Sequence, residues 1–252
     1  MSEVEGRAPG FIDASVLPQP SDARIAVRVS RPGLRAIRSG SPWLFDQAVE
    51  SHKPSGNSGD LAVVFDDNRR FAAIGLWDPE SPIRVKVLHV GKPVTIDDDW
   101  WRNKMQQALD VRRELLSNGL TTGFRWVHGE NDGLPGLIVD QYASTVVIKL
   151  YTGAWFVHLR SIMKALIEVG SVERVVIRFS RLVRDGETYG LVDGDTLYGE
   201  APTGPIMFLE NGLALEADVV FGHKTGHFLD QRDNRAIVRN LASGCRVLDV
   251  FS

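Results

Sequence analysis

The chain has 252 residues, of which 43% are hydrophobic and 24% charged, and its formal net charge is −3. This balance is typical of a globular protein and excludes a chain that binds polyanions through bulk positive charge. The single cysteine, Cys245, excludes an intramolecular disulfide and fits a reducing compartment. No stretch has the features of a secretory signal or the length of a membrane span. The sequence therefore predicts a cytoplasmic protein with no membrane partner.

The first part of the chain divides at about residue 24. Residues 1–23 are rich in Ser, Pro, Gly and acids, which predicts a flexible tail. In residues 24–95, short apolar runs alternate with Gly, Pro, Asn or Asp, a pattern typical of a small β-barrel. Trp43 and Phe45 are interpreted as barrel core rather than as a base-stacking surface.

A basic segment lies at the start of this predicted barrel. Between Arg24 and Arg38 there are five arginines and no acid. Arginines can contact RNA phosphates without regard to base sequence. The candidate RNA-binding residues are Arg28, Arg31, Arg35 and Arg38.

Residues 96–205 predict a central α+β domain. One helix begins after three aspartates at 97–99 and ends at Asn118-Gly119, and another covers about 155–167. Strand-like runs lie between and after them, and the Asp185-Gly186 and Asp193-Gly194 pairs predict hairpin turns. The basic residues of this region are interpreted as a solvated face: Arg174, Arg178, Arg181 and Arg184.

Residues 206–252 predict a hairpin at Asn211-Gly212, a loop, a helix over about 230–241 that ends before Gly244, and a strand over 247–251. The loop and helix carry a dense polar cluster: Lys224, Thr225, Asp230, Gln231, Arg232, Asn234 and Arg235. Such a cluster offers donors for a carboxylate or phosphate and acceptors for an ammonium. The same residues also fit a helix N-terminus capped by Asp230 with a solvated polar face, and the residues alone leave both readings open.

Two other features of this region carry no chemistry in our interpretation. His223 and His227 lie four apart, near Asp230, but no further Cys or His completes a zinc site, so we predict no metal. Cys245 lies two residues before the predicted strand and is interpreted as a structural thiol rather than a nucleophile.

Three motifs together resemble a known family. GHKTGHFLDQRDNR followed by VLDVFS resembles the start of the methyltransferase domain in RlmI-like, S-adenosylmethionine-dependent large-subunit rRNA methyltransferases. ENDGLPGLIVDQY resembles their central-domain signature, and SGSPWLF resembles the entrance of their PUA domain. The resemblance implies an α+β multidomain fold with a PUA-like barrel at 24–95, a central α+β domain at 96–205, and the truncated start of a Rossmann-like methyltransferase domain at 206–252.

The resemblance also implies a function. The cofactor would be S-adenosylmethionine, the partner RNA, and the substrate an rRNA base, with C5 of cytosine among the candidate atoms. It implies that the cofactor-binding residues are Lys224, Thr225, Asp230, Gln231, Arg232, Asn234, Asp249 and Phe251. No catalytic residue is expected in these 252 residues, so we expect the chain alone to be inactive. A homodimer stays open.

Two other functions stay open from the sequence. The chain would also fit a noncatalytic RNA-binding module, and the coding sequence beyond Ser252 would distinguish this module from the enzyme. A small-molecule enzyme on an α/β scaffold is less well supported, because no sheet of that kind is completed within the sequence.

Overall fold

A computed structural model describes residues 7–248 and residue 250. Its first unit is a six-stranded sheet with the order β2-β6-β5-β4-β1-β3, in which only β1 and β4 are parallel neighbours. The strands are β1 (Arg24–Val29), β2 (Trp43–Phe45), β3 (Val49–Lys53), β4 (Leu61–Phe65), β5 (Phe71–Trp77) and β6 (Ile83–Val90).

Helix α1 (Arg31–Arg38) connects β1 and β2 of this sheet. The helix begins where the Ser30 side chain accepts a hydrogen bond from the Gly33 amide, and it is followed by Gly40 at a φ of 92°. Side chains of β1 alternate between the two faces of the sheet, so every second residue of this strand is buried. The inner face of α1 packs on the same core through Leu34 and Ile37.

The second unit is a five-stranded sheet with the order β11-β10-β9-β8-β7. Its strands are β7 (Gly123–His128), β8 (Leu137–Tyr142), β9 (Thr145–Leu150), β10 (Arg174–Phe179) and β11 (Thr196–Tyr198). Its helices are α2 (Asp98–Val111), α3 (Arg113–Leu116), α4 (Leu159–Val169) and α5 (Arg181–Arg184). The hairpin predicted at Asp185-Gly186 is wrong, because Ser180 caps the short helix α5 and Asp185 ends it.

The third unit is a hairpin of β12 (Ile206–Glu210) and β13 (Leu213–Ala217), followed by α6 (Arg232–Leu241). Asn211 and Gly212 both have positive φ, 51° and 77°, as the two-residue turn requires. Within the described residues, the strand predicted at 247–251 is wrong: Val247, Leu248 and Val250 are exposed and lie in no strand. No described strand offers them the backbone partners that a strand needs.

The largest hydrophobic cluster extends across the first two units. It includes Leu61, Leu76 and Leu88 of the six-stranded sheet together with Trp101 and Trp155 of the second unit. At the same junction, the ring Nε2 of His158 lies 2.8 Å from the Gly59 carbonyl oxygen. The two sheets therefore share one core, while the division at residue 95 stays a prediction.

Part of the segment preceding β1 lies against the five-stranded sheet. The Ile12 amide donates to the Thr196 carbonyl at 2.9 Å, and the Thr196 amide donates to Gly10 at 2.9 Å. Arg160 donates to the Leu17 carbonyl at 2.7 Å, and Leu17 is buried. No helix within the described residues is long and apolar enough to cross a membrane.

Candidate cofactor and RNA-binding sites

Thr225 lies at the centre of a buried polar network that joins the 222–226 loop to the five-stranded sheet. Its hydroxyl donates to Asp140 Oδ2 at 2.6 Å and lies 3.1 Å from the Tyr142 hydroxyl. Arg125 donates to both Asp140 oxygens, at 2.8 and 3.0 Å, and so balances the charge of this fully buried carboxylate. Burial raises the pKa of Tyr142, which stays a neutral phenol. Thr225 therefore anchors the loop with its side chain turned away from solvent.

Two cations of the sheet hold the backbone of the same region. Arg178 donates to the Val219 carbonyl at 3.0 Å and to the Gly222 carbonyl at 2.9 Å, and Lys149 donates to the Lys224 carbonyl at 3.2 Å. The prediction that Arg178 is solvated is wrong: it is buried, because its long side chain reaches these carbonyl groups and Asp193.

The outer side of the loop carries exposed, oppositely charged groups. Lys224 Nζ lies 3.2 Å from Asp230 Oδ2 and 4.4 Å from the centre of the Phe228 ring. Partial burial opposes ionisation of Asp230, but the Lys224 ammonium outweighs it and holds the pKa of this carboxyl below its usual range. The Asn234 amide donates to Gln231 Oε1 at 2.7 Å, and both side chains are exposed. These four predicted cofactor residues thus lie together and remain accessible.

Helix α6 is attached to the hairpin by arginines rather than by apolar packing, since it buries none of its residues. Arg235 makes a bidentate contact with the buried Glu210, at 2.7 and 2.6 Å. Arg232 donates to the Asn211 side-chain oxygen and to Thr121 Oγ1, the latter at 3.3 Å. Arg232, predicted to bind cofactor, therefore fixes α6 in place with part of its guanidinium.

A cavity of about 280 Å³ lies where the 229–232 turn meets the second unit. Two of its arginines were missed by sequence reasoning: Arg125, held by Asp140, and Arg112, which donates to both Asp132 oxygens at 2.7 Å. Their spacing along the chain gives no signal for this proximity. The lining residues are Arg112, Leu115, Gly123, Phe124, Arg125, His128, Leu229, Asp230 and Arg232.

The remaining predicted groups of this region do not form a further site. Asp249 and Phe251 lie outside the described residues. His227 packs against Phe208 at 5.1 Å between ring centres, and desolvation lowers its pKa. Cys245, interpreted as a structural thiol before a strand, is exposed. Within residues 7–248 and 250, no group of three or more His, Cys, Asp or Glu is placed to hold a metal.

The four predicted RNA-binding arginines are all exposed. Arg31 lies 3.4 Å from Asp67 and Arg38 lies 3.2 Å from Asp66, whereas Arg28 and Arg35 form no ion pair with any described residue. Asp66 is held mainly by the turn that it closes, because it accepts hydrogen bonds from the Asn68 and Arg70 amides. The Arg70 amide is the largest of the influences that lower the pKa of Asp66.

Trp43 and Phe45 are not barrel core, so that interpretation is wrong. They are 38% and 48% exposed, whereas Leu44 between them is buried. A strand can turn only alternate residues inward, and in β2 the inward position belongs to Leu44. The Trp43 indole donates to Glu130 Oε1 at 3.3 Å, which brings the edge of β2 next to the loop after β7.

The sequence of this chain is similar to those of known proteins. Residues 27–89 match a PUA-like domain model. The chain is 45% identical over 240 residues to a ribosomal RNA large subunit methyltransferase of Deinococcus radiodurans, covering 93% of the chain and 59% of that protein. It is 34% identical over 230 residues to ribosomal RNA large subunit methyltransferase I of Alteromonas mediterranea, covering 91% and 57%.

Two solved structures support the fold. A Streptococcus mutans protein described as a SAM-dependent methyltransferase matches with a TM-score of 0.69 and 21% identity, over 85% of this chain and 54% of that one. A methyltransferase structure complexed with SAH matches with a TM-score of 0.69 and 20% identity, over 86% and 53%. The chain thus spans somewhat more than half the length of these relatives. Over that part, the chain is similar to large-subunit rRNA methyltransferases, and its residues 27–89 match a PUA-like domain.

Proposed function

We propose that the protein transfers a methyl group from S-adenosylmethionine to a base of large-subunit rRNA. The observation that carries the proposal is the 222–235 segment: the second unit and the hairpin anchor it, and it presents Lys224, Asp230, Gln231 and Asn234 to solvent. The similarity to rRNA methyltransferases supports the same reaction.

The exposed groups of this segment fit the cofactor's amino-acid end. S-adenosylmethionine supplies an electrophilic methyl group on a sulfonium, and its methionine portion carries a carboxylate and an ammonium. Lys224 would pair with the carboxylate and Asp230 would accept from the ammonium, while Gln231 and Asn234 offer neutral donors and acceptors. Thr225 and Arg232 would act indirectly, because their polar atoms hold the loop and α6 in place. Roles for Asp249 and Phe251 in the cofactor site belong to the same proposal.

The six-stranded sheet would hold the RNA. Arg28, Arg31, Arg35 and Arg38 form an exposed basic face, and the PUA-like match covers all four. Their contacts would be with phosphates and would weaken as salt rises. The proposal includes a cytoplasmic location, which access to rRNA requires, and C5 of cytosine as the first target atom to test. It assigns no nucleophilic role to Cys245 and does not require a homodimer.

The cofactor part is tested by calorimetric titration with S-adenosylhomocysteine of the protein expressed from its complete coding sequence. We expect binding that is weakened about tenfold or more by Asp230→Ala, since a hydrogen bond to a charged group is lost. Lys92→Ala, at an exposed lysine of the first unit, is the control and should bind as the wild type does. Undiminished binding by Asp230→Ala and Lys224→Ala would remove this segment from the cofactor site.

The RNA part is tested by mobility shift with an rRNA fragment at several salt concentrations. The double variant Arg35→Ala, Arg38→Ala should bind more weakly and with a shallower salt dependence, whereas Arg181→Ala, also exposed, should not differ from the wild type. Equal affinity and equal salt dependence would exclude α1 from the RNA contact. RNA binding without S-adenosylhomocysteine binding would favour the noncatalytic module instead. Incubation with labelled S-adenosylmethionine and rRNA tests methyl transfer directly.

A further inference from the structure

We infer that Trp43 and Phe45 form a stacking platform for unpaired bases of single-stranded RNA, beside the arginines that contact phosphates. The inference rests on the proposed RNA-binding function and deepens it, because it specifies the form of RNA that is recognised. It follows from the position of two aromatic side chains on the outer face of an edge strand.

The exposure of Trp43 is exceptional among the tryptophans of the chain. Trp43 is 38% exposed, whereas each of the other five tryptophans is 9% exposed or less. Phe45 follows at 48%, on the same side of β2, because Leu44 between them occupies the core. Because Trp43 and Phe45 are two residues apart on a strand, their positions are separated by roughly 7 Å along the chain. Each ring could therefore stack on its own base.

The charge around the platform favours a polyanion over a protein partner. Residues 24–45 contain five arginines and no acid. Arg28 and Arg35 form no ion pair within the described residues, so their charge is available to phosphates. The chain leads directly from α1 to β2, and the Ser41 amide donates back to the Ala36 carbonyl at 3.0 Å, which holds the strand close to the basic helix.

Two acids lie next to the platform: Asp46, which directly follows Phe45, and Glu130. Glu130 accepts from the Trp43 indole N–H at 3.3 Å. This contact uses the edge of the ring and fixes its orientation, while stacking uses the faces. An aromatic side chain that is fixed in place loses little conformational entropy when a base stacks on it.

These features select single-stranded RNA. A base inside a duplex keeps its faces stacked on its neighbours, whereas an unpaired base can lie on an aromatic side chain. Arginines alone would bind duplex and single strand through the same phosphates. The two aromatic residues therefore add a preference that the basic face lacks.

Tryptophan fluorescence tests the inference directly, because only Trp43 is substantially accessible. The complete protein is titrated with an unstructured 12-nucleotide RNA and with the same strand annealed to its complement. We expect the single strand to quench the fluorescence, and Trp43→Phe to keep the affinity while losing that quench. Quenching of the same size in Trp43→Phe would overturn the inference.

The second measurement is the affinity for labelled RNA, determined by fluorescence anisotropy across a salt series. Trp43→Ala and Phe45→Ala should each weaken single-strand binding about 5- to 150-fold without changing the salt dependence. Duplex binding should stay unchanged. Tyr198→Ala is the matched control, since Tyr198 is 40% exposed on β11, and it should bind as the wild type does. Far-UV circular dichroism establishes that each variant is folded.

The outcomes separate the two proposals. RNA binding that depends on Arg35 and Arg38 but not on Trp43 or Phe45 would overturn the platform alone and assign the aromatic pair to a protein contact. An absence of RNA binding by the folded wild type would overturn the proposed RNA-binding function and the platform with it.

Discussion

Thr225 and Asp140 are 85 residues apart in the chain, yet the Thr225 hydroxyl donates to Asp140 Oδ2 at 2.6 Å in a fully buried position. Asp140 also carries the bidentate contact with Arg125. One carboxylate of β8 thus balances a guanidinium and holds the loop that presents the candidate cofactor residues.

We expect Asp140→Ala to lower the free energy of unfolding by about 3 kcal/mol, because it leaves the Arg125 guanidinium and the Thr225 hydroxyl without their partner. Urea denaturation measures the change. Asp99→Ala is the control: Asp99 pairs with Arg102 at 2.6 Å on the surface, and its loss should cost under about 1 kcal/mol. Equal costs for the two variants would contradict the role of the buried network.

The substitution Glu210→Gln should weaken the attachment of α6 to the β12–β13 hairpin. The helix buries no residue of its own, so its attachment depends on contacts such as those between Arg235 and the buried Glu210. Hydrogen exchange followed by mass spectrometry should show faster exchange over 232–241 and no change in β8 or β9. Glu216→Gln, on the neighbouring strand β13 and exposed, serves as the comparison. Unaltered exchange in α6 would show that other contacts hold it.

His158 should make stability depend on pH. Burial lowers the pKa of His158 to about 4 from an ordinary value of 6.5. At pH 5 its imidazole is therefore protonated in the unfolded chain and neutral in the folded chain. The contribution of this histidine to the free energy of unfolding is present above pH 6.5 and is lost as the pH falls toward 4. Between pH 7.5 and pH 5 the free energy of unfolding should fall by about 2 kcal/mol on this account. Urea denaturation at both pH values should show a smaller fall for His158→Gln than for the wild type. An identical fall would show that other groups cause it.

Gly59 and Gly40 allow a test of close packing between the two sheets. Both have positive φ, 90° and 92°, but a Cβ at Gly59 would lie 2.5 Å from the Ala154 carbonyl oxygen, while nothing lies within 4 Å at Gly40. Gly59→Ala should therefore cost at least about 2 kcal/mol more than Gly40→Ala in urea denaturation. Similar costs would mean that backbone conformation, rather than the contact with Ala154, sets the effect.

Features governed by near neighbours could be predicted from the sequence. The Asn211-Gly212 hairpin and the helix predicted over about 230–241 each depend on a few adjacent residues. Features that depend on distant partners could not. Periodicity in β2 does not show which of its apolar residues faces the core, and no local signal shows that Arg178 reaches the carbonyl groups of Val219 and Gly222. In the candidate site the exposed cluster was predicted, but its buried supports, Asp140 and Glu210, are recognisable only once the fold brings them together.

The hydrophobic cluster shared by the two sheets determines how the two sheets are connected. Leu61, Leu76 and Leu88 pack with residues of the second unit, so a fragment cut at residue 95 would expose them to water. The sheet that carries the basic helix and the sheet that holds the 222–226 loop are accordingly joined through packed core rather than through a flexible linker. Under the proposed function, an RNA bound at α1 would reach the loop at a fixed distance, and the fold would set how far from the bound nucleotides methylation takes place.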